Sequence, residues 1–89
     1  MVAHVFVSGF VQNVGYRQFV KEIARQIGLT GWVKNIPGGR VEALFSGSKD
    51  KIEKAIEQLW EGPFLSEVKS VDVEWPGDKE SNFTIFEIK

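Results

Sequence analysis

The chain has 89 residues, of which 43% are hydrophobic and 26% charged, and its 11 basic against 12 acidic side chains leave a formal net charge of −1. This length suits one domain with a modest core and a shallow functional site, and the charge argues against a generic nucleic-acid binder, which needs excess cations to neutralise phosphates. Because the sequence has no cysteine, disulfides, thiolate nucleophiles and zinc–sulfur sites are excluded.

The first predicted elements are a strand and a helix. Apolar and polar residues alternate over residues 3–9, which is the pattern of a half-buried strand, and Gly9 closes the run. After a glycine-containing loop, apolar residues recur at helical spacing from Phe19 to Ile27, and Gly28 stands where a left-handed C-terminal cap is expected. We therefore predict a helix over residues 16–27.

A hairpin and a second helix follow. The β-prone runs 30–35 and 40–46 flank a turn at 36–39, in which proline precedes glycine as a type II turn requires. Ser48 is a suitable N-cap, and apolar residues at helical spacing lead from it to a Gly-Pro stop at residues 62–63. This stretch therefore predicts two antiparallel strands and then a helix.

Two strands complete the order. Apolar residues from Val68 to Trp75 indicate one strand, a polar turn covers Pro76 to Asn82, and Phe83 to Ile88 forms the last strand. The resulting βαββαβ order plus a terminal strand predicts an α+β fold, the ferredoxin-like sandwich, with both helices on one face of a mainly antiparallel sheet. Without a linker, repeat or low-complexity tract, residues 1–89 are expected to form a single domain.

The residues that could carry chemistry are densest between strand one and helix one. Gly9, Asn13 and Gly15 tolerate positive φ, so this loop can turn backbone N–H groups inward beside a helix N-terminus and form an anion site. Arg17 lies in the first helical turn, where a cation is unfavourable unless an anion binds nearby, and its guanidinium fork matches phosphate oxygens. The alternative is a tight turn followed by a solvated arginine. The loop has neither the Walker pattern nor the dinucleotide fingerprint.

Two motifs in this sequence resemble those of the acylphosphatase family. Residues 9–17, Gly-Phe-Val-Gln-Asn-Val-Gly-Tyr-Arg, match the family loop Gly-x-Val-Gln-Gly-Val-Gly-Phe/Tyr-Arg at every fixed position except Asn13. Residues 28–35, Gly-Leu-Thr-Gly-Trp-Val-Lys-Asn, together with Gly-Arg-Val-Glu at 39–42, match a second family block. Because both motifs occur in the right order and spacing, the resemblance is specific, and it extends over essentially the whole chain.

The resemblance implies an acylphosphatase, an enzyme that hydrolyses the carboxyl-phosphate bond of an acyl phosphate without a metal or organic cofactor. In the family, the loop N–H groups and its arginine bind the phosphoryl group, and an asparagine positions the attacking water. Carried over by motif, the catalytic residues are Arg17 and Asn35. The substrate-binding residues are Val11, Gln12, Asn13, Val14, Gly15, Tyr16 and Arg17. The expected partners are a small acyl phosphate and inorganic phosphate, with no nucleic acid and no membrane.

The state and location of the protein follow from simpler observations. No apolar run approaches the roughly 20 residues of a membrane span, and the first residues lack the basic segment of an export signal, so we expect a cytoplasmic protein. Nothing in the sequence demands more than a monomer. Because the chain begins with Met1 and ends on its last predicted strand, a free-standing enzyme is favoured over an acylphosphatase-like module of a larger chain that binds an anion without turnover.

Several alternatives stay open at this point. Asn35 is also a common strand-ending turn residue. Asn13 could crowd the phosphate, which would reduce activity, or hydrogen-bond across the loop and stiffen it; in either case we expect activity to be retained. His4, the one histidine, is interpreted as structural. An RNA-recognition module shares this topology, but strand Arg40 to Phe45 carries an acid and one aromatic where such a module needs several aromatic residues.

Overall fold

The computed structural model describes residues 1–76 and 83–89. Its elements in chain order are strand β1 (Val2–Phe10), helix α1 (Tyr16–Ile27), strands β2 (Thr30–Ile36) and β3 (Arg40–Ser46), helix α2 (Lys49–Leu59), and strands β4 (Glu67–Glu74) and β5 (Phe86–Ile88). The strands form one sheet in the order β4-β1-β3-β2-β5, in which only the pairing of β5 with β2 is parallel. The predicted element order and ferredoxin-like sandwich are confirmed. Within the described chain, no helix has the length and apolar character to cross a membrane.

Two predicted boundaries are wrong by more than one residue. The last strand is Phe86–Ile88 and does not include residues 83–85, because Phe86 already pairs with Gly31 next to the start of β2. Helix α2 ends at Leu59, before the predicted stop at residues 62–63, because the N–H groups that follow bond to the carbonyl of Gln58 and tighten the last turn. The turn predicted for residues 76–82 lies, beyond its first residue, outside the described residues.

The core lies between the helices and one face of the sheet. Along β1 and β3 every second side chain is buried, as the alternation in the sequence predicts, and each helix contributes one apolar stripe. The buried side chains of the strands and helices include Ala3, Val5, Val7, Val33, Val41, Ala43, Phe45, Val20, Ile23, Ala24, Ile52, Ala55 and Leu59. This packing holds α1 against β2 and β5, and thereby places the start of α1 beside the end of β2.

The opposite face of the sheet carries polar and aromatic side chains that contact one another. The imidazole of His4 lies 2.5 Å from a carboxylate oxygen of Glu42 and 4.5 Å, between ring centroids, from Phe6. The ammonium of Lys34 lies 3.6 Å from the same carboxylate and 5.2 Å from the ring centroid of Trp32. His4 is thus engaged on the face away from the helices, in keeping with its interpretation as a structural residue.

Candidate active site

The loop between β1 and α1 and the end of β2 enclose a pocket of about 240 Å³. Arg17 and Gln18 of α1, Asn35 of β2 and Ile88 of β5 line it together with residues of the loop and helix start, which are Val11, Asn13, Gly15 and Tyr16. The two residues expected to be catalytic, Arg17 and Asn35, come from separate motifs and line the same pocket. The topology explains this meeting, because α1 runs back along β2 and begins where β2 ends.

The loop adopts the left-handed conformations that its sequence predicts. Asn13 has a φ of 63° and is the one non-glycine residue of the described chain with positive φ, while Gly15 has a φ of 80°. Within the described residues, no backbone hydrogen bond uses the N–H groups of residues 12–15 as donors. Consecutive unpaired N–H groups in such a loop form a concave site that binds anions.

The start of α1 adds to this positive site. Gly15 is the N-cap and has no side chain to accept a hydrogen bond, and the first turn contains no acidic residue. The N–H groups at the helix start are therefore left for an external acceptor, and the helix dipole favours a negative charge there. Arg17 is half-buried in this turn, and within the described residues its guanidinium makes one long hydrogen bond, of 3.4 Å, to the carbonyl of Lys89. Its remaining donors are thus available beside the pocket.

Asn35 supplies an acceptor on the other side of the pocket. Its backbone is part of β2, where it pairs with Val41, so the strand fixes the position of the side chain. The amide oxygen Oδ1 is buried and has no hydrogen-bond partner in the part of the chain that the structure describes. A buried acceptor without a partner costs about 1–3 kcal/mol, and such groups concentrate at functional sites, where a water or ligand satisfies them.

Two of the predicted substrate-binding residues, Gln12 of the loop and Tyr16 of α1, make side-chain hydrogen bonds that sequence reasoning missed. The amide nitrogen of Gln12 donates to the carbonyls of Ile36 (3.0 Å) and Arg40 (2.8 Å), at the two ends of the β2–β3 turn. The Tyr16 hydroxyl donates to the carbonyl of Leu59, at 2.8 Å, and burial raises the pKa of this phenol well above its ordinary value. Gln12 therefore fixes the loop to the hairpin that carries Asn35, and Tyr16 fixes the start of α1 to the end of α2.

The remaining residues vary in how close they come to the pocket. The structure places Val14 against the core, half-buried, and it does not line the pocket. Gln18 and Ile88 line the pocket but were not predicted to, since neither stands at a fixed position of the motifs. Among the described residues that line the pocket, none is an aspartate, glutamate or histidine. Within residues 1–76 and 83–89, no group of three or more such side chains could hold a metal ion.

Comparisons with known proteins agree with this arrangement. The acylphosphatase family model matches residues 3–88. The chain is 42% identical to an acylphosphatase of Roseiflexus sp. (strain RS-1) over 93% of this chain and 91% of that protein. Its structure is similar to that of acylphosphatase from Bacillus subtilis, with a TM-score of 0.94, 33% identity and coverage of 100% and 99% of the two chains. It is also similar to an acylphosphatase from Coxiella burnetii, with a TM-score of 0.91, 39% identity and coverage of 99% and 90%. The chain belongs to the acylphosphatase family.

Proposed function

We propose that the protein is an acylphosphatase that hydrolyses acyl phosphates at the pocket formed by the β1–α1 loop, Arg17 and Asn35. A water oxygen forms a bond to phosphorus, the bond between phosphorus and the acyl oxygen breaks, and the products are a carboxylate and inorganic phosphate. The observation that supports this most strongly is the meeting, in one pocket, of N–H donors, a guanidinium and a buried amide oxygen, of which the N–H donors and the amide oxygen have no partner within the described residues. Because residues of one chain line the pocket, we propose that a monomer is sufficient.

The donors of the pocket suit the phosphoryl group. Charge in the transition state of phosphoryl transfer is spread over the three equatorial oxygens, and fixed donors stabilise it without having to reorganise. The backbone N–H groups of residues 12–15 and those at the start of α1 provide such donors, and Arg17 adds a permanent positive charge in a planar fork. The phosphoryl group therefore takes the place of the side-chain cap that α1 lacks.

Asn35 is proposed to position the attacking water. Its amide oxygen accepts a hydrogen bond from one water hydrogen, which directs a lone pair of the water oxygen toward phosphorus. The described residues that line the pocket include no carboxylate or imidazole, so we propose that the proton of the water passes to a phosphate oxygen of the substrate. Tyr16 is not used as an acid or base, because its hydroxyl is held by Leu59 and its pKa is raised by burial.

The leaving group accounts for the simplicity of the pocket. A carboxylate leaves readily without being protonated, so neither a general acid nor the metal clamp that serves less activated phosphates is needed. The chemistry reduces to holding the phosphoryl group, neutralising its charge and orienting one water. A shallow pocket on a chain without cysteine can meet these demands.

The test is hydrolysis of benzoyl phosphate, followed by absorbance in excess EDTA, by the native chain and by the variant Arg17→Gln. We expect rapid turnover that EDTA does not change and a loss of about 1,000-fold or more in the variant, because one guanidinium lies beside the developing charge. Arg40→Gln is the matched control, since the Arg40 side chain lies over the ring of Phe6, 5.6 Å from its centroid, on the far face of the sheet.

The same experiment separates this function from the rival one. If the native chain binds inorganic phosphate but hydrolyses benzoyl phosphate no faster than buffer, the pocket is an anion-binding module and the proposed activity is wrong. If Arg17→Gln folds and retains native turnover, hydrolysis takes place elsewhere and the proposed site is wrong.

A further inference from the structure

A second and larger cleft, of about 490 Å³, lies along the other half of α1. Lys21 and Arg25 line it from the helix, residues 28–30 close its end, and residues 84–86 form its opposite wall. Its walls connect it to the active-site pocket, because α1 and β5 border both. Ile88 of β5 lines the pocket and Phe86 lines the cleft, so the two are separated by about 7 Å of strand.

One helix face carries cations from the pocket into the cleft. Arg17, Lys21 and Arg25 are spaced four residues apart, which sets them on one side of α1 at intervals of about 6 Å. Helical side chains lean toward the helix N-terminus, so the flexible side chain of Lys21 can extend toward Arg17 and the phosphoryl site. The cleft is thus joined to the active site by a continuous basic face.

Around Lys21 and Arg17, the described part of this face shows no counter-charge, whereas Arg25 has Glu22 one turn before it. Within the described residues, neither Lys21 nor Arg17 forms an ion pair, and the residues one turn before and after Lys21 are not acidic. Like charges at this spacing oppose each other and weaken a helix. Lys51 of α2 adds to the positive charge, since its ammonium would lie 3.4 Å from a Cβ placed on Gly28 at the end of the cleft. In a chain of net charge −1, cations are therefore concentrated beside the active site.

We propose that Lys21, assisted by Arg25, binds a second anionic group, a carboxylate or phosphate, on the acyl part of the substrate. This inference rests on the proposed function and names the substrates that the site favours. The phosphoryl group is held by the loop and Arg17, the acyl group lies along Ile88 between α1 and β5, and its far end meets Lys21. Acyl phosphates with an anionic tail are then preferred over neutral ones of the same size. Because this contact is the same before and during reaction, the preference lies in KM.

The test compares pairs of substrates that differ in tail charge and little in size. The 3- and 4-carboxybenzoyl phosphates are measured against the 3- and 4-methylbenzoyl phosphates, each corrected for its uncatalysed rate, and the readout is the ratio of kcat/KM within a pair. For the native chain we expect the carboxy compound to have a kcat/KM about three to five times that of the methyl compound for at least one carboxylate position. An exposed ion pair produces an effect of this size. The ratio should fall toward one as salt is added.

Variants assign the effect to the cleft. Lys21→Gln should bring the ratio to one or below, Lys21→Arg should keep it, and Lys54→Gln, which removes an exposed charge from α2, should leave the native ratio. A native ratio of one or less at both positions, or a preference that survives in Lys21→Gln, overturns the inference while turnover of the methyl compounds upholds the proposed function. If none of the four compounds is hydrolysed, the proposed function fails and the inference fails with it.

Discussion

At the residue scale, the side chain of Asn35 is the group whose role is simplest to isolate. A turn residue would stabilise the end of β2, whereas a residue that positions water leaves its amide oxygen without a partner, and Oδ1 is buried and unpartnered in the described structure. We expect Asn35→Ala to lower kcat on benzoyl phosphate by about 100-fold, because the water loses its orientation. Competitive inhibition by inorganic phosphate should stay within about threefold of native, since the loop and Arg17 are intact.

The free energy of unfolding of Asn35→Ala is the control that separates a catalytic role of Asn35 from a structural one. Removing an unpaired buried oxygen should leave the free energy of unfolding unchanged or raise it. A variant that loses stability but keeps its kcat would show that Asn35 is only a structural residue.

Asn13 marks the one departure from the family loop, and its backbone shows how the loop tolerates it. Its φ of 63° lies in the left-handed region, which asparagine adopts more readily than most other residues with a Cβ. The remaining backbone strain is about 1 kcal/mol. The side chain is exposed and lines the pocket. We therefore expect Asn13→Gly to change kcat/KM by less than about tenfold, measured on benzoyl phosphate. A gain above roughly 100-fold would mean that the asparagine side chain seriously obstructs the phosphoryl group.

At the element scale, Gly31 holds β2 and β3 at the spacing that carries Asn35. Its φ is 134°, and a Cβ added there would overlap the carbonyl oxygen of Leu44 in the paired strand. We expect Gly31→Ala to lower the free energy of unfolding by about 3 kcal/mol or more, measured by urea denaturation, because backbone atoms must separate. Gly38→Ala is the matched control: its φ is 91° and nothing lies within 4 Å, so only the positive φ is strained, at about 1 kcal/mol. Equal effects of the two changes would contradict this reasoning.

Tyr16 links the start of α1 to the end of α2. Without the hydroxyl, the buried carbonyl of Leu59 loses its donor, so Tyr16→Phe should lower the free energy of unfolding by about 1–2 kcal/mol at neutral pH.

The same residue predicts a pH dependence. Burial raises the pKa of Tyr16 above its ordinary value of about 10, so the folded chain keeps the phenol protonated at pH values where the unfolded chain ionises it. The contribution of the protonated phenol to the free energy of unfolding is fully present below about pH 10 and is lost as the pH rises further. Urea denaturation between about pH 8 and 11.5 should therefore show that, above pH 10, the free energy of unfolding of the native chain approaches that of Tyr16→Phe. A difference that stays constant across this range would contradict the assignment.

At the scale of the whole molecule, the residues that sequence reasoning identified are those whose local pattern determines their structure. Ser48 accepts a hydrogen bond from the backbone of Lys51 as an N-cap, and Gly28 ends α1 in the left-handed conformation. Asn13 has the positive φ that its place in the loop predicts. Each of these depends on a few neighbours along the chain, so the sequence contains the information needed.

The features that were missed depend on contacts between distant segments. Phe83 to Ile88 has the composition of a strand, yet β5 is short because its paired register with β2 begins only at Phe86, opposite Gly31. The hydrogen bonds of Gln12 to the hairpin and of Tyr16 to α2 join residues that no periodicity relates. The cleft at Lys21 likewise exists only because α1 packs against β5.

The central claim is that water attacks phosphorus in the pocket of Arg17 and Asn35. The most direct measurement is hydrolysis of benzoyl phosphate by the native chain in water enriched in oxygen-18, with mass spectrometry of both products. Attack on phosphorus breaks the bond between phosphorus and the acyl oxygen, so one labelled oxygen should enter the inorganic phosphate and none the benzoate. Label in the benzoate would show that the carbonyl carbon is attacked, and would contradict a pocket built to hold a phosphoryl group and direct a water toward it.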